Sequence, residues 1–126
     1  MLCALAVAFG VVEPAILDRV PITPALLEGR WKTVWYTHKL NVVINTVYRK
    51  DGTYVFEQFD RQTGEKKTAW TWSGTYTVHG RRMTCKLQGS GYEPTFDVKL
   101  LPGGRMRLAS VGDRDNVSIM EKVADR

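Results

Sequence analysis

From Gly29 onward the chain repeats with a period of two, and that alternation restricts its folding options more than any other feature. It is clearest between Trp70 and Val78, where Trp70, Trp72, Gly74, Tyr76 and Val78 share one face and Thr71, Ser73, Thr75 and Thr77 the other. A dry face backed by a wet one is the mark of a half-buried antiparallel strand. Met83, Cys85 and Leu87 alternate with Arg82, Thr84 and Lys86 in the same way. Phe96, Val98 and Leu100 stand against Asp97 and Lys99, and Met106 and Leu108 against Arg105 and Arg107. No stretch after Gly29 sustains helical spacing.

Eight strand-like runs result, at about Arg30–His38, Asn41–Arg49, Thr53–Phe59, Thr68–Val78, Arg82–Gln88, Pro94–Leu101, Arg105–Val111 and Val117–Val123. The connections after strands two, four and six are tight: Lys50-Asp51-Gly52, His79-Gly80-Arg81 and Pro102-Gly103-Gly104. Those after strands three, five and seven are longer. In a meander, alternate connections lie at one end, so short turns make a floor and long loops a mouth. The sequence therefore predicts an all-β fold, an eight-stranded antiparallel up-and-down barrel, with a small sandwich as the other arrangement of such strands. Closure removes the exposed edges that invite aggregation.

Within the 126 residues the organisation reads as three parts: 1–15, a secretory leader or an apolar tail; 16–28, a connector with Pro21 and Pro24; and 29–126, the barrel domain. Leu2–Val12 is apolar and uncharged but too short for a bilayer span, which needs about 20 residues. It has the length of a leader's apolar region and two small-x-small patterns of a cleavage site, Ala4-Leu5-Ala6 and Ala6-Val7-Ala8, though no basic residue precedes it. The expected location is secreted or periplasmic, with no transmembrane segment. Thr23-Pro24-Ala25-Leu26-Leu27 reads as one helical turn. Cys85, between Met83 and Leu87, reads as a small buried hydrophobe.

Gly29-Arg30-Trp31 opens the first strand and resembles the Gly-x-Trp signature of lipocalin-like barrels, the calycin group. The resemblance covers Gly29 to Val123. It implies that Trp31 plugs the closed end of the barrel and that a basic residue near the last strand, Lys122 or Arg126, packs across its ring. His38-Lys39-Leu40 is too short for the lid loop usual in lipocalins, and no helix follows strand eight. The chain therefore resembles a minimal, bacterial-type member. Trp72-Ser73-Gly74-Thr75-Tyr76 is similar to a strand of the biotin binders, but no Trp follows Trp72 to complete their pocket.

If Trp31 points inward, strict alternation sends Thr33, Trp35 and Thr37 inward too. Thr33, Trp35, Phe56, Trp70, Trp72 and Tyr76 are then the candidate ligand-binding residues, an aromatic lining suited to a small hydrophobic molecule. On that reading Trp35→Ala and Trp72→Ala both abolish binding. The competing reading is a barrel filled by its own side chains. In strand three, Tyr54, Phe56 and Gln58 face one way and Val55, Glu57 and Phe59 the other. An inward Glu57 is a buried carboxylate and, with Tyr76, a polar group for an isomerase- or cyclase-type enzyme, the reading ranked last; an outward one is a solvated group.

Eighteen Lys and Arg against thirteen Asp and Glu give a formal charge of +5. Arg49, Lys50, Arg81, Arg82 and Arg105 flank the tight turns and form a candidate patch for an anionic surface or an acidic protein. That would make the chain an interaction or inhibitor module. The aromatic residues do not interleave with these cations, which argues against nucleic acid. His38 and His79 fall at opposite ends of the barrel. No Cys/His spacing for a metal, nucleophile elbow, P-loop or dinucleotide fingerprint occurs, so the sequence points to no catalytic residues, no metal and no cofactor.

Overall fold

The computed structural model describes residues 20–38, 42–113 and 115–123, with Trp70 described by its backbone alone. The leader segment and Arg126 lie outside the described residues.

Thr23 caps a single helical turn, α1 (Pro24–Leu27), accepting a hydrogen bond from the Leu26 N–H, and Pro24 stands where its missing N–H costs nothing. This turn packs on the barrel. Ile22 and Leu27, within the stretch read as a connector, belong to the core cluster, and the Ile22 N–H donates to the Gly80 carbonyl at 2.9 Å.

The eight strands are β1 (Gly29–Tyr36), β2 (Val42–Tyr48), β3 (Thr53–Asp60), β4 (Trp72–His79), β5 (Arg82–Leu87), β6 (Thr95–Leu101), β7 (Arg105–Ser110) and β8 (Val117–Lys122). They pair in sequence order, all antiparallel, and β8 closes onto β1. The all-β up-and-down barrel expected from the sequence is the fold, with tight turns at one end and longer loops at the other. One expected strand is shorter. Thr68–Trp70 forms a 3-10 turn ahead of β4, so Trp70 does not continue the strand's alternation. Its side chain lies outside the described residues.

The Gly-x-Trp start has a physical reason. Gly29 takes φ 129°, and a Cβ there would stand 2.8 Å from the Cε of Lys122. Its absence lets the Lys122 stem lie along β1, with Nζ 5.3 Å from the centre of the Trp31 ring. Trp31 is 3% exposed and its Nε1–H donates to the Leu27 carbonyl at 2.8 Å. The ring, the lysine over it and α1 beneath it together seal the floor.

Above that seal the lower half is filled. Met83, Met106, Val98 and Leu27 are essentially inaccessible to solvent, with Tyr48, Tyr54, Tyr76, Leu108 and Met120 around them. Tyr48 and Tyr76 meet edge to face at 5.4 Å, and burial pushes the Tyr48 phenol well above its ordinary pKa. Cys85 is buried there too, its thiol pushed up to about 12 by desolvation, the inert core residue its flanking pattern predicts.

Candidate functional site

The inner face of β1 to β4 carries one row of directly opposed residues, Trp31, Thr46, Phe56 and Trp72. Barrel strands tilt against the barrel axis, so a row perpendicular to them climbs as it passes from strand to strand. Trp31 lies at the sealed floor, whereas Trp72, at the start of β4, lies at the mouth and is 45% exposed. The β3–β4 ladder ends at this Phe56–Trp72 pair, and the two rings stack at 5.4 Å with 10° between their planes. Between floor and mouth, Thr46 is 2% exposed, and its Oγ1 meets no hydrogen-bond partner among the described residues.

A second opening lies between β1 and β2. Their ladder spans only Gly29–Lys32 against Asn45–Tyr48, and above it β1 stays with β8. The resulting cleft of about 250 Å³ is lined by Thr33, Val34, Trp35, Tyr36 and His38 from the β1 side and by Val42, Ile44 and Arg61 from the other. It lies near the lower size limit of small-molecule pockets, roughly 300 Å³. Ile44 is diagonal to Phe56 across β2 and β3, so cleft and aromatic stack share one inner wall. Burial, then the charge of Asp113 and the Tyr92 phenol, raise the Tyr36 pKa above its usual value.

Trp35 is the main correction to the sequence reading. A β-bulge between Thr33 and Trp35 inserts one residue, so that Trp35 pairs with outward-facing Ile119 and Tyr36 with inward-facing Ser118. The phase flips. Trp35 is 51% exposed and, with Thr37, Arg107, Asp115, Val117 and Ile119, lines a groove of about 460 Å³ on the outer wall. Thr37 follows it outward, and its hydroxyl bonds the Val117 backbone.

The other expected residues are distributed as follows. Phe56 and Trp72 meet at the mouth, and Thr33 lines the cleft. Tyr76 lies in the filled half, its hydroxyl donating to the Arg49 carbonyl at 2.6 Å, so it serves the floor and not the open half. Glu57 is on the outer face. Arg30 Nη1 approaches one of its carboxylate oxygens at 3.0 Å and Lys66 Nζ the other at 3.1 Å. Burial raises its pKa, but the bonds and charges of Lys66 and Arg30 outweigh that and leave it below the usual value. An ionised, outward, doubly paired carboxylate is no general acid for chemistry inside the barrel.

Arg49, Lys50, Arg81, Arg82 and Arg105 are all exposed at the floor end, where Arg105 pairs with Glu121 at 3.5 Å. His38, at the mouth, meets the Tyr36 ring edge-on at 5.5 Å, while exposed His79 ends β4 at the floor. Among the described residues no three His, Cys, Asp or Glu side chains converge as metal ligands, and no helix is long and apolar enough to cross a membrane. The sequence reading missed Arg61. It follows β3 inside a run that looks like any polar turn, and only the β2–β3 register places it beside Val42.

Two solved structures share this architecture. One is a lipocalin-like protein from Bacteroides uniformis, 19% identical, with a TM-score of 0.61 over 78% of this chain and 99% of that one. The other is an uncharacterized protein from Bacteroides eggerthii, 16% identical, with a TM-score of 0.60 over 77% and 99%. No family model matches the sequence, and no curated protein matches it either. At these identities the likeness concerns the fold, which is that of a lipocalin-like small barrel.

Proposed function

We propose that this lipocalin-like barrel belongs to an exported protein that holds a small hydrophobic molecule in its open half. The observation that carries the reading is the Phe56–Trp72 stack. Trp72 is on the inner wall, yet nearly half of it is accessible at the mouth. A flat ligand laid on that ring removes apolar surface from water on both partners, worth roughly 25 cal/mol per Å². The filled lower half sets the depth: the ligand rests above the level of Tyr54 and Tyr76 and does not run the length of the barrel.

The test uses the full chain and the neutral fluorescent probe N-phenyl-1-naphthylamine. Trp72→Ala and Phe56→Ala weaken its binding about tenfold or more, the effect of losing one aromatic wall worth roughly 1.5–3 kcal/mol. Trp35→Ala weakens binding far less than either, because half of that residue is exposed on the outer groove and it makes no ring contact with the Phe56–Trp72 stack. Circular dichroism shows whether each variant keeps its fold. Wild-type protein that does not bind the probe, or a folded Trp72→Ala variant that binds it equally well, overturns the reading.

Export rests on Leu2–Val12, outside the described residues. The expected result is recovery of the protein outside the cytoplasm with its N-terminus beyond Ala6. A cytoplasmic chain still beginning at Met1 refutes export and leaves the binding proposal standing.

A further inference from the structure

We propose that the buried Thr46 hydroxyl determines specificity in this site by hydrogen-bonding one neutral oxygen, a hydroxyl or a carbonyl, at the inner end of the ligand. This rests on the reading of the open half as a ligand site and adds the chemistry of the ligand's leading end.

The inference starts from a polar atom without a bond. Thr46 is almost wholly buried, and among the described residues its Oγ1 is the one buried side-chain oxygen or nitrogen that meets no partner. Hydroxyls elsewhere in the barrel are bonded: Tyr76 donates to the Arg49 carbonyl at 2.6 Å, and Thr84 and Thr95 bond each other at 3.0 Å. A hydroxyl kept from water and left unpaired costs stability. Valine has nearly the same outline and carries no such cost, so packing alone does not call for threonine here.

Thr46 also stands where the two openings meet. Phe56, one ring of the aromatic stack, is directly opposite on β3. Ile44, two residues up the same face of β2, and Thr33, on the diagonal across β1, both line the cleft. The β1–β2 ladder stops one pair above Trp31 and Thr46, at Lys32 with Asn45. A ligand entering by the cleft therefore reaches Oγ1 by parting side chains, without opening the sheet.

The neighbours set the kind of group that fits. Trp31, Thr33, Ile44, Tyr48 and Phe56 carry no charge, and an ion brought among them would exchange its hydration for a single hydroxyl. A neutral oxygen loses much less, and a threonine hydroxyl can donate to it or accept from it. A molecule with only hydrocarbon at that end leaves Oγ1 unpaired, which is a physical basis for rejecting it.

Three probes on one ring system test this: 2-naphthol, 2-methylnaphthalene and 2-naphthoate, each competed against N-phenyl-1-naphthylamine on the full chain at neutral pH. Thr46→Val weakens 2-naphthol about fivefold, the loss of one buried hydrogen bond, and leaves 2-methylnaphthalene unchanged. 2-Naphthoate, whose charge stays at the mouth, is also unchanged. Thr46→Ser retains the wild-type ratio of 2-naphthol to 2-methylnaphthalene affinity. Without ligand, Thr46→Val melts at or above the wild-type temperature, because it removes an unpaired buried group.

A 2-naphthol to 2-methylnaphthalene ratio that Thr46→Val does not move, or a wild type that binds N-phenyl-1-naphthylamine but not 2-naphthol, overturns the role of the hydroxyl and leaves the hydrophobic site standing. If 2-naphthoate loses as much as 2-naphthol, the inner end is not restricted to neutral groups. A lower melting temperature for ligand-free Thr46→Val shows the hydroxyl bonded within the fold and overturns the inference as well. If wild type does not bind N-phenyl-1-naphthylamine, the proposed function itself fails and this inference with it.

Discussion

Trp31→Ala lowers the midpoint of thermal unfolding by about 15–30 °C, from a loss of about 3–5 kcal/mol in a barrel of this size. The ring is almost wholly buried and closes the floor from inside. Its removal leaves a cavity bounded by Thr46 and Met120, residues that adjoining strands hold in place and that collapse inward only in part. Two further contacts disappear with it. The Leu27 carbonyl loses its 2.8 Å donor, one of the bonds that tie α1 to the floor, and Lys122 loses the aromatic face beneath its ammonium. Trp31→Phe separates these contributions: it restores most of the volume but not the N–H, and is expected to cost only about 1–2 kcal/mol. Calorimetry or a denaturant titration of the two variants checks the ranking. A drop of less than about 5 °C for Trp31→Ala would mean that the plug and the core above it are not coupled.

Much of this architecture was legible because strand faces and turn residues are local signals. Alternation in Met83–Leu87 and Met106–Leu108 identified the core side of β5 and β7, and the glycines of the three tight turns marked one end. The misreading at Trp35 has a definite cause. The bulge falls within Lys32-Thr33-Val34-Trp35, where no Gly or Pro advertises an extra residue, and a one-residue slip reverses every side chain beyond it. The alternation that marks β4 extends to Trp70 in the sequence, but Ala69, a poor strand former, lies in the 3-10 turn that ends it. The facing of Glu57 needed a fact that no single strand contains. Phe56 is opposite Thr46, which is opposite Trp31, and that chain of pairings sends the neighbouring Glu57 outward. Arg61 depended on the same register and on a long side chain crossing to the next strand.

Gly74→Ala is expected to destabilise the fold by about 3 kcal/mol, the upper part of the usual range for overpacking. Its effect comes from the backbone and from a ring together. A Cβ at Gly74 would fall inside the van der Waals envelope of the Lys86 carbonyl oxygen and 3.0 Å from the Tyr54 ring. Lys86 belongs to the β4–β5 ladder and cannot retreat without opening it, while Tyr54, directly across β3 from Gly74, is held between Tyr48 and the core. Small size at this one position lets a tyrosine ring lie against the strand. Relief requires β4 to shift away from β5, which strains its ladder with β3, and that ladder has only two more pairs towards the mouth, Val55 with Ser73 and Phe56 with Trp72. The substitution is therefore predicted to loosen the aromatic stack as well as the fold, weakening N-phenyl-1-naphthylamine binding at temperatures where the variant remains folded. Gly74→Ala at wild-type stability would show that β4 and β5 separate at little cost. Lost stability with undiminished probe binding would locate the ligand away from Trp72.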